Sequence, residues 1–119
     1  MKIKDIDKIL ENIKDILKRI ELEPDDGTLL IYIGIVKEVN NNRKVNKLLV
    51  LKSENFENVK RTLESKRTYC IINEGEHVPG SCIMLVFTIG KTRHEAIEKL
   101  RESVDLVKKN LLKVEEYVE

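Results

Sequence analysis

Few side chains in this sequence belong to types that do chemistry unaided. Its two histidines, His77 and His94, lie in a loop and at a helix start, seventeen residues apart. Isolated histidines on such segments read as surface residues rather than a metal pair, and no metal site is expected. Cys70 and Cys82 flank the loop Asn73–Ser81. Either they are two reduced core thiols, or they face each other across a tight hairpin. They are too few for a disulfide framework or a four-ligand zinc site. There is no GxSxG nucleophile turn, no Walker phosphate loop, no HExxH and no CxxC. The loop itself, Gly75-Glu76-His77-Val78-Pro79-Gly80, has glycines at both ends that permit positive φ or a close backbone approach. Alone, it is a wide turn between two apolar strands.

These residues depend on the elements that carry them. Ile6, Leu10, Ile13, Leu17 and Ile20 recur at spacings of four and three, with Ile9 and Ile16 widening the stripe, which predicts an amphipathic first helix. Asp5 is its expected N-cap, and Pro24 ends it. Thr28–Val36 is almost wholly apolar and reads as a strand buried on both faces. Asn40-Asn41-Asn42 marks a turn before a strand at Val45–Leu51, and together these suggest a hairpin. Ser53 can cap a short helix carrying Phe56, Val59, Thr62 and Leu63. Strands follow at Thr68–Ile72 and Cys82–Thr88. Thr92 and Glu95 have the spacing of a capping box. Behind them Ile97, Leu100, Val104, Val107, Leu111, Val114 and Val118 predict one long helix, lying on a sheet or paired with another helix. The order α-β-β-α-β-β-α predicts an α+β fold of two layers in a single domain, residues 1–119.

Composition narrows the function. Against 22 Lys and Arg stand 21 Asp and Glu, so the chain lacks the cationic excess with which nucleic-acid binders displace counterions. The longest apolar run, Leu29–Val36, is too short to span a bilayer, and the charged N-terminus offers no signal core. A cytoplasmic protein is expected, with no nucleic-acid or membrane partner. Abundant Lys and Glu give a weak indication of heat adaptation.

Taken in order, the motifs resemble those of the molybdopterin synthase catalytic (large) subunit, the MoaE-like family. That family's strand G-A/T-x-x-x-F-x-G-x-V-R is matched by Gly27-Thr28-Leu29-Leu30-Ile31-Tyr32-Ile33-Gly34-Ile35-Val36-Lys37. Val45–Leu51 resembles its V-x-x-L-x-L strand. Its H-R-x-G-x-L-x-P-G loop is matched in both glycines and the proline by Ile72-Asn73-Glu74-Gly75-Glu76-His77-Val78-Pro79-Gly80. Thr92-Arg93 stands for the H-R pair opening the long helix, and Asp105-Leu106-Val107-Lys108 for a D-x-L-K segment. The similarity spans about residues 6 to 115, with a deletion around the middle helix.

This resemblance implies the family's fold and its role in molybdenum cofactor biosynthesis, a sulfur transfer that needs no bound cofactor. Sulfur moves from the C-terminal Gly-Gly thiocarboxylate of a ubiquitin-like small subunit to a cyclic pyranopterin phosphate. It implies Lys108 as the catalytic lysine, Arg93 and Lys37 as substrate-binding cations, Gly75 and Gly80 as loop positions, and a homodimer with sites built partly across it. The departures are as specific. Ile72-Asn73 replaces the histidine-arginine pair, Thr92 replaces a histidine, and Glu115 falls where a second lysine is expected, with Lys109 or Lys113 as stand-ins if the helix end shifts. Two other functions are compatible with these departures: a non-catalytic homologue serving as a protein-binding or assembly module, or a small anion- or ligand-binding domain.

Overall fold

The apolar segment Cys82–Gly90 is buried at every position because it is the middle strand of an antiparallel sheet covered on both faces. The computed structural model describes residues 1–119 in full. In chain order the elements are α1 (Ile6–Arg19), β1 (Thr28–Ile35), β2 (Val39–Asn40), β3 (Arg43–Lys52) and α2 (Phe56–Ser65). There follow β4 (Tyr69–Ile72), β5 (Gly75–His77), β6 (Cys82–Gly90), α3 (Arg93–Lys109) and β7 (Leu111–Tyr117). Three helices on antiparallel sheets make the expected α+β fold. No helix is long and apolar enough to cross a membrane.

The first sheet has the order β1-β6-β4. One face, with Cys70, Ile72, Met84 and Val86, shares the main core with Val104 and Val107 of α3. On the other face Cys82, Leu85 and Phe87 pack against Ile9 and Ile16 of α1. The cysteines therefore belong to opposite faces: Cys70 is opposite Val86, and Cys82 opposite Ile35. Facing one another across a hairpin is thus ruled out, and both thiols are free and buried. Burial pushes the Cys70 thiol up to about 11.

Four further expectations change. Asp5 lies in the left-handed region (φ 56°, ψ 39°), where its side chain makes no cap bond to α1. Of the helix stripe, Ile9 and Ile16 are buried, whereas Ile6, Leu10 and Leu17 are exposed. The first strand is not buried on both faces: Ile31, Ile33 and Ile35 are exposed because α1 covers β6 and β4 but leaves this edge open. Nor does that strand form the hairpin. It pairs with β6, while Asn41 and Asn42, both at positive φ, link the short β2 to β3 as the primed turns of two-residue hairpins require.

The largest correction concerns the last helix. It ends at Lys109, and Leu111–Tyr117 runs back along β3 as β7, from Leu111 opposite Lys52 to Tyr117 opposite Val45. Asn110 closes the helix: its side chain donates to the Leu106 carbonyl, and its own carbonyl accepts from Ser53 N–H. Beyond it, the 3,4 apolar spacing yields to a strand that satisfies the backbone groups of β3. The loop Asn73–Ser81 supplies β5, which pairs with β3 at Leu48–Val50.

At its other end α3 is capped as the sequence predicts. Thr92 Oγ1 accepts from Glu95 N–H at 3.2 Å, and the Glu95 carboxylate reaches back to Lys91 N–H at 3.3 Å. Nearby, Arg67 forks onto Asp26 at 3.1 and 2.5 Å and donates to the Glu21 carbonyl, fastening the chain after α1 to the turn after α2. That guanidinium holds the Asp26 carboxyl down at about 2.

Candidate functional site

Where the two sheets meet at the C-terminal end of α3, the chain leaves a cavity of about 230 Å³. Gly34 on β1 opens its floor; a Cβ there would lie 2.6 Å from Met84 Cγ. Tyr32 and Val36, on either side of Gly34, line the cavity with it. Lys108 enters from the last turn of α3, its ammonium 5.9 Å from the centre of the Tyr32 ring. Lys37 follows the end of β1. Lys113 and Glu115 come from β7, whose alternation puts them on the same face as Leu111 and Tyr117, which pack on the main core.

Three cations and one carboxylate thus converge. Burial first, and then the charges of Lys108 and Lys37, lower the Lys113 ammonium, while Glu115 partly counters them. The residue is exposed as a whole, so the shift is a tuning of a hydrated amine rather than its neutralisation. Glu115 is held differently. Its Oε1 accepts from Asn40 Nδ2 at 2.7 Å, across 75 residues of sequence. The Tyr117 hydroxyl reaches toward the same carboxylate, and this approach, with burial second, raises the phenol. The second carboxylate oxygen, Oε2, is buried. Arg43 stacks 3.7 Å from the centre of the Tyr117 ring and joins the hairpin to β7 at the rim.

The other candidates lie apart. Lys109 is exposed, next along the helix from Lys108 and turned away from the cavity lining. Arg93 is exposed at the opposite end of α3, roughly 22 Å along the axis from Lys108 at about 1.5 Å per residue. Gly75 (φ +116°) and Gly80 (φ +89°) adopt the backbone expected of glycines but do not line the cavity. Gly80 touches it indirectly: its N–H donates to the Val36 carbonyl, and Val36 N–H donates to the Ser81 carbonyl, both at 3.0 Å.

Asn73 is tied to the strand after its loop, donating from Nδ2 to the Cys82 carbonyl, and the His77 ring nitrogen lies 2.7 Å from the Asn73 carbonyl. These residues line a second cavity with Asp5, Lys8 and Asn12 of the α1 end, away from the three lysines. His94 is exposed and far from His77 in the fold's order of elements. Sequence reasoning missed Asn40 and Tyr117 altogether. Asn40 reads only as a turn residue, and Tyr117 falls on what periodicity takes for a helix.

A molybdopterin synthase structure from Staphylococcus aureus is similar with a TM-score of 0.66 at 14% identity, over 82% of this chain and 80% of that one. Molybdopterin cofactor biosynthesis protein E from Burkholderia multivorans gives 0.63 at 16%, covering 92% and 80%. A protein–protein complex of subunits 1 and 2 of the molybdopterin-converting factor from Helicobacter pylori contains a chain with a TM-score of 0.61 at 16%, covering 99% and 85%. A search of curated proteins finds no match. The MoaE protein family matches residues 6–110, most of the length, and the chain belongs to that family.

Proposed function

We propose that this chain is a large subunit of molybdopterin synthase, transferring sulfur from a small-subunit thiocarboxylate to a pyranopterin phosphate with an altered set of active-site residues. Family membership supports a role in molybdenum cofactor biosynthesis. The observation that carries the reading is the convergence of Lys37, Lys108 and Lys113 on one cavity. Ammonium groups there offset the charge of a substrate phosphate and of a thiocarboxylate tail. Lys113, which gives up its proton more readily than a free lysine, is suited to move a proton at the reacting sulfur. Lys108 is the residue that matches the family's catalytic lysine. In this reading Lys113, not Lys109, fills the second lysine's place, and Glu115 is an addition beside it.

The small subunit with its C-terminal Gly-Gly is the proposed sulfur donor. The Helicobacter pylori complex of subunits 1 and 2 supports a partner of that kind. A homodimer accompanies it. The outer face of the second sheet offers Leu49 and Leu51 opposite Val114 and Leu112, an apolar patch of which Leu51, Leu112 and Val114 are exposed. Arg93, outside its own chain's cavity, serves the partner chain's site in such a dimer.

The test mixes the protein with a thiocarboxylated small subunit and the pyranopterin precursor and measures dithiolene formation. Lys108→Ala is expected to lower turnover about 10²–10³-fold, the scale for removing one positioned electrostatic group. Wild-type protein that binds the tail but forms no dithiolene would make it a binding homologue, the function that Ile72 and Glu115 favour.

A further inference from the structure

The strand β7 pairs with β3 alone, so its register depends on that one neighbour. Its own sequence does not settle which face turns inward. Leu111, Lys113, Glu115 and Tyr117 alternate with Leu112, Val114 and Glu116, and each set mixes apolar and charged residues. A shift of one residue would turn Val114 and Glu116 toward the core and carry Lys113 out to solvent.

The observed register is held at the hairpin end. Asn40 Nδ2 donates to Glu115 Oε1 at 2.7 Å, and the Tyr117 hydroxyl donates to the same carboxylate. Arg43 lies over the Tyr117 ring, 3.7 Å from its centre, and pairs with Asn40 across the two-residue turn. With that backbone pairing the four residues close a ring between the hairpin and the inner face of β7. The β3 backbone is shaped to match. An irregularity between Val45 and Lys47 lets Val45 and Leu48, three residues apart, both be buried, opposite Tyr117 and Glu115. On the other face Asn46 Nδ2 donates to Glu116 Oε1 at 2.8 Å, but that bond is exposed and water competes for both groups.

Resting on the proposed function, in which Lys113 is the second lysine, we propose that this ring is a register lock and that Asn40 and Arg43 are positioning residues for Lys113. Asn40 acts through Glu115, and Arg43, outside the cavity lining, acts through Tyr117. Lys113 stands two residues from Glu115, about 7 Å along the strand, so fixing one fixes the other. In that place burial and the charges of Lys108 and Lys37 lower its ammonium; turned outward, it would keep neither influence.

The experiment follows acetylation of Lys113 against pH by peptide mass spectrometry, with the exposed Lys14 of α1 as internal reference. Limiting acetic anhydride is the probe, so no substrate or partner enters the measurement. In wild type Lys113 is expected to react at lower pH than Lys14. In Asn40→Ala and Arg43→Ala that lead should shrink, and in the double variant it should vanish. Arg43 is exposed and Asn40 half-buried, so these variants keep the core. Glu115→Gln can still accept from Asn40 and Tyr117 but loses the charge that raises the Lys113 ammonium, so its lead should widen. Opposite signs from the two ends of one hydrogen bond separate positioning from plain electrostatics. Glu116→Gln, on the exposed face, should leave the lead as it is.

No lead in wild type, or a lead that the double variant leaves intact, would overturn the lock. An equal loss in Glu116→Gln would overturn it too, since any cross-strand contact would then serve. Sulfur transfer is scored separately, and there Asn40→Ala is expected to lower kcat by up to about a hundredfold, the scale for a displacement of about 1 Å. A lead that vanishes in the double variant, beside a wild type that forms no dithiolene, leaves the lock and sinks the function. Dithiolene formation and a lead that are both untouched by the double variant sink the lock and leave the function standing.

Discussion

Gly90 ends β6 directly under the first turn of α3, and replacing it with alanine tests how that helix is seated. A Cβ built there would lie 2.6 Å from Ala96 N, 2.9 Å from the Thr92 carbonyl oxygen and 3.0 Å from Ala96 Cα. All three are backbone atoms of the capped turn, so no side chain can swing away. The turn is also held by Thr88 Oγ1 donating to the Ala96 carbonyl at 2.9 Å. Relief therefore means lifting the start of α3 from the sheet. Such overpacking costs about 1–3 kcal/mol. At an unfolding entropy of about 2.1 cal/mol/K per residue, a chain of 119 residues has about 0.25 kcal/mol/K, so the midpoint should fall by about 4–12 °C.

Gly34→Ala is the matched comparison. Its Cβ meets the side chain of Met84, whose Cγ lies 2.6 Å away and can move. The loss of stability should be smaller, while the new methyl fills the floor of the lysine cavity. Calorimetric melts of both variants decide the matter. A Gly90→Ala midpoint within a degree of wild type, or a larger fall for Gly34→Ala than for Gly90→Ala, would refute the seating of α3 described here.

The lowered Lys113 ammonium predicts selective chemistry: limiting acetylation near pH 8 should modify Lys113 ahead of Lys47, a surface residue paired only with Glu76. Peptide mass spectrometry gives the order, and equal rates would contradict the burial and crowding of Lys113. In the sulfur-transfer assay Lys113→Ala should cost about 10²–10³-fold and Lys109→Ala less than about twofold, because only the former lines the cavity. The reverse order would put the second lysine back on the helix. Acid should weaken the Arg67–Asp26 clamp: Asp26 is held at about 2 against an ordinary 3.8. Its contribution is complete above about pH 4 and is lost as pH falls toward 2. Melting temperatures from pH 5 to 2 should fall more steeply in wild type than in Asp26→Asn, and parallel curves would remove the clamp from the account.

Much of the fold is legible in the sequence because its elements carry strong local signals. The Thr92–Glu95 box sets the start of α3, and Cys82–Gly90 could be nothing but a buried segment. Partnering is where local signals end. Nothing within Thr28–Ile35 says that it pairs with β6 rather than with the strand after the asparagine turn; that choice is made by burial across more than fifty residues. The exposed Ile31, Ile33 and Ile35 show the same limit, since a strand's composition does not reveal whether a helix covers its outer face.

The site shows why this matters for function. Leu111, Val114 and Val118 continue the 3,4 spacing of α3, but Leu111, Lys113, Glu115 and Tyr117 also alternate as one face of a strand. Counting along a helix, the residue seven beyond Lys108 is Glu115, and Lys109 or Lys113 can stand in only if the helix end shifts. Once Asn110 ends the helix and β3 takes up the chain, Lys113 and Glu115 both turn toward Lys108. In the proposed function the second cation is therefore Lys113, reached by a different backbone geometry. The carboxylate read as its replacement is a further group, anchored by an asparagine from the other side of the cavity. A residue's role here follows from which period the backbone obeys, and seven residues of β7 decide that for the whole site.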